Sequence, residues 1–192
     1  MSETLGVGTA NPLTNTEFNG TIGMPVPGID IKIFDDEENE LGVNQEGEIG
    51  IKGMNVIKGY HNLDNSKFFT KDGFLKTGDV GILDEKGYVK LLDRKKDMLI
   101  VSGFNVYPNE IESVIEMHPK VKECSVVGVD DELQGQSVKL FVVSDDKSLT
   151  KEELMAFSKK NLAGYKRPRE IEFINELPKS TVGKILRHKL RK

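Results

Sequence analysis

Hydrophobic and polar residues alternate along Ile29-Asp30-Ile31-Lys32-Ile33-Phe34, up to its last residue, and again along Glu48-Ile49-Gly50-Ile51-Lys52. A period of two puts every second side chain on one face, so both segments predict half-buried β-strands. Turn chemistry punctuates the stretch from 21 to 92 at Pro25 to Gly28, Gln45-Glu46-Gly47, Lys71-Asp72-Gly73 and Asp84-Glu85-Lys86-Gly87. Short strands at such spacing predict a small β-barrel or sandwich. Asp64 stands where an N-cap belongs and predicts one short helix at 64–69. Residues 1–20 are rich in Gly, Asn and Thr and read as loop.

From 97 onward the pattern changes. Met98-Leu99-Ile100-Val101 is a short apolar strand. Ser102 to Pro108 reads as a loop entering a helix, with Pro108 at the first helical position and Ile111, Val114 and Ile115 along one face. Strands follow at 121–130 and 137–144. Thr150, with Glu153 three residues on, has the spacing of a capping box before a helix to about Leu162. A strand at 170–174 and a closing basic helix at 183–191 complete the chain. Strands and helices interleave here, an α+β or α/β texture. The charged run Asp93-Arg94-Lys95-Lys96-Asp97 separates the two textures, as a linker or hinge or equally as a charged hairpin turn.

The length of 192 residues suits one large domain or two small ones. A net charge of −4 carries no whole-chain signature of nucleic-acid binding. The acidic run Asp35 to Glu38 and the basic run Lys184 to Lys192 read first as solvated faces. A single cysteine excludes an intrachain disulfide and a multi-cysteine zinc site, and Cys124 lies in an apolar run that suits a small core residue. No signal-peptide pattern and no bilayer-length apolar run is present, so the expected setting is cytoplasmic, with peripheral membrane contact left open.

Several segments carry candidate chemistry. Thr77-Gly78-Asp79 follows the strand pattern of Phe74-Leu75, and an aspartate at a strand end can accept two hydrogen bonds from a vicinal diol such as a ribose. An ordinary turn aspartate is the competing reading. Arg94 suits the same sugar, a phosphate, or plain surface. Gly103 leaves room for a thin ligand chain, on which Phe104 would stack unless it packs in a core. Glu3 is a candidate Mg²⁺ ligand, directly or through water. Lys184 follows Gly183 on a turn and can reach outward as a point charge toward phosphate or carboxylate oxygens. His61, His118 and His188 lack metal-ligand spacing. There is no P-loop, no G-x-G-x-x-G fingerprint and no G-x-S-x-G elbow.

Taken in order, Met1 to Thr4, Gly47 to Tyr60, Lys76 to Asp79, Asp93 to Glu112, Gly164-Tyr165-Lys166 and Leu177 to Arg191 resemble the adenylate-forming superfamily of acyl-CoA synthetases, luciferases and peptide-synthetase adenylation domains. DRKKDMLIVSGFNVYPNEIE and LPKSTVGKILRHKLR are most similar to bacterial long-chain fatty acid–CoA ligases. The resemblance implies an α+β fold. A β-rich distorted-barrel subdomain, 1–93, would close the large adenylation domain, and a small mobile α/β C-terminal domain, 94–192, would follow. It also implies a fragment of a larger enzyme, inactive alone, because the phosphate loop, adenine pocket and acyl tunnel are absent. The implied substrates are a fatty acid, ATP and CoA, with Mg²⁺ as cofactor and no nucleic acid. Carried over, Ser2 lies near the phosphates, Glu3 serves Mg²⁺, Asp79 and Arg94 hold the ribose, and Lys96 is the hinge. Gly103, Phe104 and Asn105 face CoA, and Lys184 bridges the acyl carboxylate and α-phosphate. Another acyl-CoA or acyl-carrier-protein ligase, or a non-catalytic CoA- or partner-binding module, remain the alternatives.

Overall fold

A computed structural model describes residues 1–14 and 16–191; Asn15, within the expected leading loop, and Lys192, at the end of the basic run, lie outside the described residues. The chain divides into two compact units, Met1–Lys96 and Asp97–Lys192.

The first unit is built on four antiparallel strands in chain order, β3 (Ile29–Phe34), β4 (Gly47–Gly53), β5 (Leu75–Leu83) and β6 (Val89–Arg94). A two-residue ribbon, β1 (Thr9–Ala10) with β2 (Met24–Pro25), precedes them. The alternation read from the sequence sends Ile29, Ile31 and Ile33 into one apolar cluster with Ile49, Ile51, Leu75 and Val89. Each strand therefore contributes to the same face, which is what makes the meander a stable unit. Beyond the β3–β6 ladder, Ile22 N–H donates to Val89 O and Val89 N–H to Gly23 O, both at 2.8 Å, so β6 is bonded to the segment that runs into β2 and the β-rich unit curls as a distorted barrel. The expected helix at 64–69 is one 3₁₀ turn, Asn65–Lys67, and the Asp64 carboxylate accepts from Ser66 N–H as its cap. The acidic run proves to be a turn: Asp35 accepts from the N–H of Glu37 and of Asn39. Hydrogen bonding to Asn39 holds the Asp35 carboxyl below its usual range.

The second unit is a five-stranded sheet of β7 (Leu99–Val101), β8 (Phe104–Val106), β9 (Glu123–Asp131), β10 (Gly135–Val143) and β11 (Glu170–Phe173). Central β10 pairs antiparallel with β9 along its length and parallel with β11. Helices α1 (Pro108–Ile115) and α2 (Lys151–Asn161) supply Ile111, Ile115 and Leu154 to one face, where they meet Val126, Val138, Leu140 and Val142. Adjacent strand residues point the other way: Val127, Phe141 and Val143 meet Leu177, with Ile185 and Leu190 packed against them. The sheet is thus covered on both faces, by helices on one and by the C-terminal segment on the other.

Two expectations are overturned. Ser102 to Pro108 is not a loop into a helix. Ser102 (φ 51°) and Gly103 (φ 82°) form a two-residue turn that folds β8 back on β7. Both central residues have the positive φ that matches hairpin twist. The closing helix at 183–191 is also absent. Lys179 bridges Ile185 antiparallel, and the described chain ends in a 3₁₀ turn, Arg187–Lys189. Ser180 and Gly183 close that hairpin before a helix can start, with Gly183 at φ 80°. Leu177, Ile185 and Leu190 reach the sheet from the turn instead.

Candidate functional site

In the first unit the decisive local feature is an irregularity in β5. Glu48 pairs with Val80 and Gly50 with Lys76, so three residues, Thr77 to Asp79, stand opposite the single residue Ile49. Extra residues leave the ladder and re-aim side chains. Thr77 Oγ1 donates to Ile49 O at 2.8 Å, Asp79 N–H donates to Thr77 Oγ1 at 3.2 Å, and Gly78 N–H donates to Glu48 Oε1 at 3.1 Å. Gly78 takes φ 72° to make the corner. Asp79 therefore projects from a mid-strand bulge and not from a strand end. It opens onto a cleft of about 350 Å³ whose lining includes Thr4, Ile31, Ile49, Ile51 and Thr77.

Asp79 lies 3.4 Å from Arg94 Nε, its partner in the β5–β6 register. Burial pushes the Asp79 carboxyl above its ordinary value, and the Arg94 charge only partly offsets this. The Arg94 side chain, though paired with Asp79, is 58% exposed. Glu3, in the first 3₁₀ turn with exposed Ser2, accepts from Tyr60 Oη at 3.1 Å through one oxygen. Its other oxygen fits a hard cation, directly or through water. Among the described residues no group of three His, Cys, Asp or Glu is arranged to hold a metal ion, so a divalent cation here would depend on ligand oxygens as well. Lys96 sits exposed in the 3₁₀ turn Lys95–Asp97, at the end of the first unit. Its neighbour Lys95 is held by Asp36 at 2.8 Å and Glu48 at 2.9 Å. Glu48 thus braces both the bulge and the approach to the seam. Sequence reading gave it no role because its partners lie 30 and 47 residues away.

In the second unit Gly103 and Asn105 are exposed on the β7–β8 hairpin. A Cβ at Gly103 would meet nothing within 4 Å, so the glycine meets the backbone requirement and leaves its surface open to a ligand. Phe104 is 54% exposed, and its ring stacks on Tyr165 at 4.5 Å and 19°. It packs in no core. Lys184 stands at the tip of the C-terminal turn. Ser180 N–H donates to Lys184 O at 2.8 Å, Gly183 N–H to Ser180 O at 2.9 Å, and Leu186 N–H to Pro178 O at 2.8 Å. Lys184 N–H donates to Ser180 Oγ at 3.1 Å. The backbone is locked while the side chain is exposed, and its ammonium meets no acceptor among the described residues.

One residue the sequence did not single out is Glu112 of α1, only 8% exposed. Its Oε1 accepts from Val126 N–H at 2.7 Å and from Arg187 Nε at 3.2 Å, and its Oε2 from Arg187 Nη2 at 2.5 Å. Cys124, buried beside it, carries a thiol pushed up by burial and then by the Glu112 charge.

Comparison with known proteins bears on this arrangement. A family model described as AMP-binding enzyme matches residues 1–61, and one described as AMP-binding enzyme C-terminal domain matches residues 110–184. This chain belongs to the AMP-binding, adenylate-forming enzyme family. Among members, a long-chain-fatty-acid–CoA ligase of Yersinia pestis is 49% identical over 184 residues, covering 95% of this chain and 33% of the relative. The AMP-binding fold recurs in ATP-bound MatB from Rhodopseudomonas palustris, at TM-score 0.93 and 37% identity, over all of this chain and 39% of that one. It recurs too in an O-succinylbenzoate CoA synthetase (MenE) from Bacillus subtilis in complex with ATP and magnesium ion, at TM-score 0.89 and 36% identity, over 99% and 40%. The chain spans about one third of the length of the curated relatives it matches. The AMP-binding family match brackets Glu3 in its first segment and Gly183-Lys184 at the end of its second.

Proposed function

We propose that this chain forms the C-terminal third of an AMP-forming ligase that joins a long-chain fatty acid to CoA through an acyl adenylate. The observation that carries this reading is Lys184, an unpaired exposed ammonium at the tip of a hydrogen-bonded turn, where the AMP-binding C-terminal match ends. The 49% identity to a long-chain-fatty-acid–CoA ligase supports the choice of acid.

A carboxylate is a poor acceptor for a thiol, so it is first activated. Attack of the carboxylate oxygen on the α-phosphorus of ATP expels pyrophosphate, and two anions must meet. The Lys184 ammonium, carried on a turn whose backbone is hydrogen-bonded, would donate hydrogen bonds to both. Asp79 would accept from both ribose hydroxyls, with Arg94 assisting and Ser2 near the phosphates. Mg²⁺, which Glu3 fits, would supply further charge neutralisation on the phosphates. The CoA thiol would then attack the acyl carbonyl and AMP would leave, with pantetheine passing the bare backbone at Gly103 beside Phe104 and Asn105. Lys96 would be the pivot between the two steps.

In the full-length ligase, Lys184→Ala is expected to lower ATP–pyrophosphate exchange with palmitate by about 10²–10³. Thioester formation from supplied acyl adenylate should stay within a few-fold. Equal losses in the two half-reactions would overturn the role. The likeness to an O-succinylbenzoate CoA synthetase gives one other acid class, a succinylbenzoate-type acid. Exchange supported by such an acid and not by palmitate would select it.

A further inference from the structure

The tail that bears Lys184 is held to the second unit in two ways. Leu177, Ile185 and Leu190 pack on Phe141 and Val143, a contact that keeps the tail on the sheet but has no directional preference. Arg187, three residues after Lys184, supplies direction. Its guanidinium bonds both Glu112 oxygens, donates to Asn109 Oδ1 at 2.7 Å and lies 3.7 Å from Asp97 Oδ2. Arg191 donates to the other Asp97 oxygen at 2.8 Å. The Arg187 and Glu112 side chains are 15% and 11% exposed. A planar fork on a buried carboxylate fixes orientation as well as distance. Asp97, the second unit's first residue, is gripped by the same two arginines, so the Lys184 turn is built onto the segment that leaves the seam.

We propose that Glu112 and Arg187 are positioning residues for adenylation: the buried carboxylate aims the hairpin so that the Lys184 ammonium arrives where the two anions meet. This rests on the ligase reading of Lys184. Pairs of this kind add little net stability over apolar residues of similar size, and their contribution lies in geometry.

The test separates geometry from stability. Arg187→Met alone leaves Glu112 buried and unpaired, and is expected to destabilise the second unit. Glu112→Gln with Arg187→Met removes both charges and keeps an acceptor for Val126 N–H. In the full-length ligase this double variant should regain stability, yet its ATP–pyrophosphate exchange should remain about 100-fold low, the scale of a misplaced group. Thioester formation from supplied acyl adenylate should be spared, and Arg187→Lys should recover part of the exchange. In the 192-residue chain itself, the Gly183 and Leu186 amides of the double variant should exchange with deuterium about tenfold faster, while the β9–β10 ladder keeps its protection. Wild-type exchange rates in the double variant, equal loss of both half-reactions, or unchanged protection of the turn would each overturn the proposal. An inert Lys184→Ala would instead sink the ligase reading, and the amide measurement would still decide whether the pair holds the turn.

Discussion

Asp79 shows a residue placed against the interest of the fold. Its carboxyl titrates above the ordinary aspartate value because burial disfavours the charge, with Arg94 opposing. A raised folded-state value means that the contribution to stability is whole below the unfolded value, near 3.9, and is lost as pH climbs through the raised one. At neutral pH the ionised Asp79 therefore weakens the first unit. Asp79→Asn is expected to raise the melting temperature of that unit at pH 7, with the gain shrinking to nothing toward pH 3 in calorimetry. A gain independent of pH would refute the assignment. The candidate itself was legible, because Thr-Gly-Asp after an apolar pair suggests a diol acceptor. The bulge was not, since its two extra residues are defined only by the register with β4. Glu112 was equally hidden: it meets Arg187 across 75 residues, a distance no local pattern spans.

Among elements, helix α2 behaves as its sequence predicts at one end of the capping box only. Thr150 Oγ1 accepts from Glu153 N–H at 3.1 Å. The reciprocal bond is replaced, because the Glu153 carboxylate turns to Lys120 Nζ at 3.0 Å and lies 3.5 Å from His118 Nε2. Thr150→Ala should cost about 1 kcal/mol in urea unfolding of the second unit. Strands were the most legible elements, since the alternation of Ile29 to Ile33 and of Glu48 to Lys52 suits a strand with one face in a core. The C-terminal element misled for a physical reason. Apolar residues at 182, 185, 186 and 190 imitate a helical stripe, but Val182 is 76% exposed while Leu177 and Ile185 meet the sheet from either side of the turn. A Ser-x-x-Gly closure with glycine at positive φ outcompetes the helix, whose nucleation is costly over so few residues.

For the whole molecule, the two units keep separate apolar clusters, one gathered by β3 to β6 and the others by the second sheet and its covers. Ile33, 1% exposed in the first cluster, gives a clean test. Ile33→Ala should lower the first unit's stability by about 2–5 kcal/mol. The lone thiol lies in the second unit, 1% exposed, and labels only when that unit opens. Its labelling midpoint in urea should stay unchanged in Ile33→Ala while the circular-dichroism transition of the first unit moves. A shift of both together would mean one cooperative unit.

Glu112 has one more consequence, for how the molecule behaves in a crowd of its own kind. Strand β9 borders the sheet, and an uncovered border offers N–H groups on which a stray strand from another chain can template itself. The carboxylate occupies the Val126 N–H at that border, in the middle of the strand, and brings a charge that an invading backbone would have to displace. With that donor taken, the rim at Val126 offers an unpaired strand from another chain one backbone group fewer.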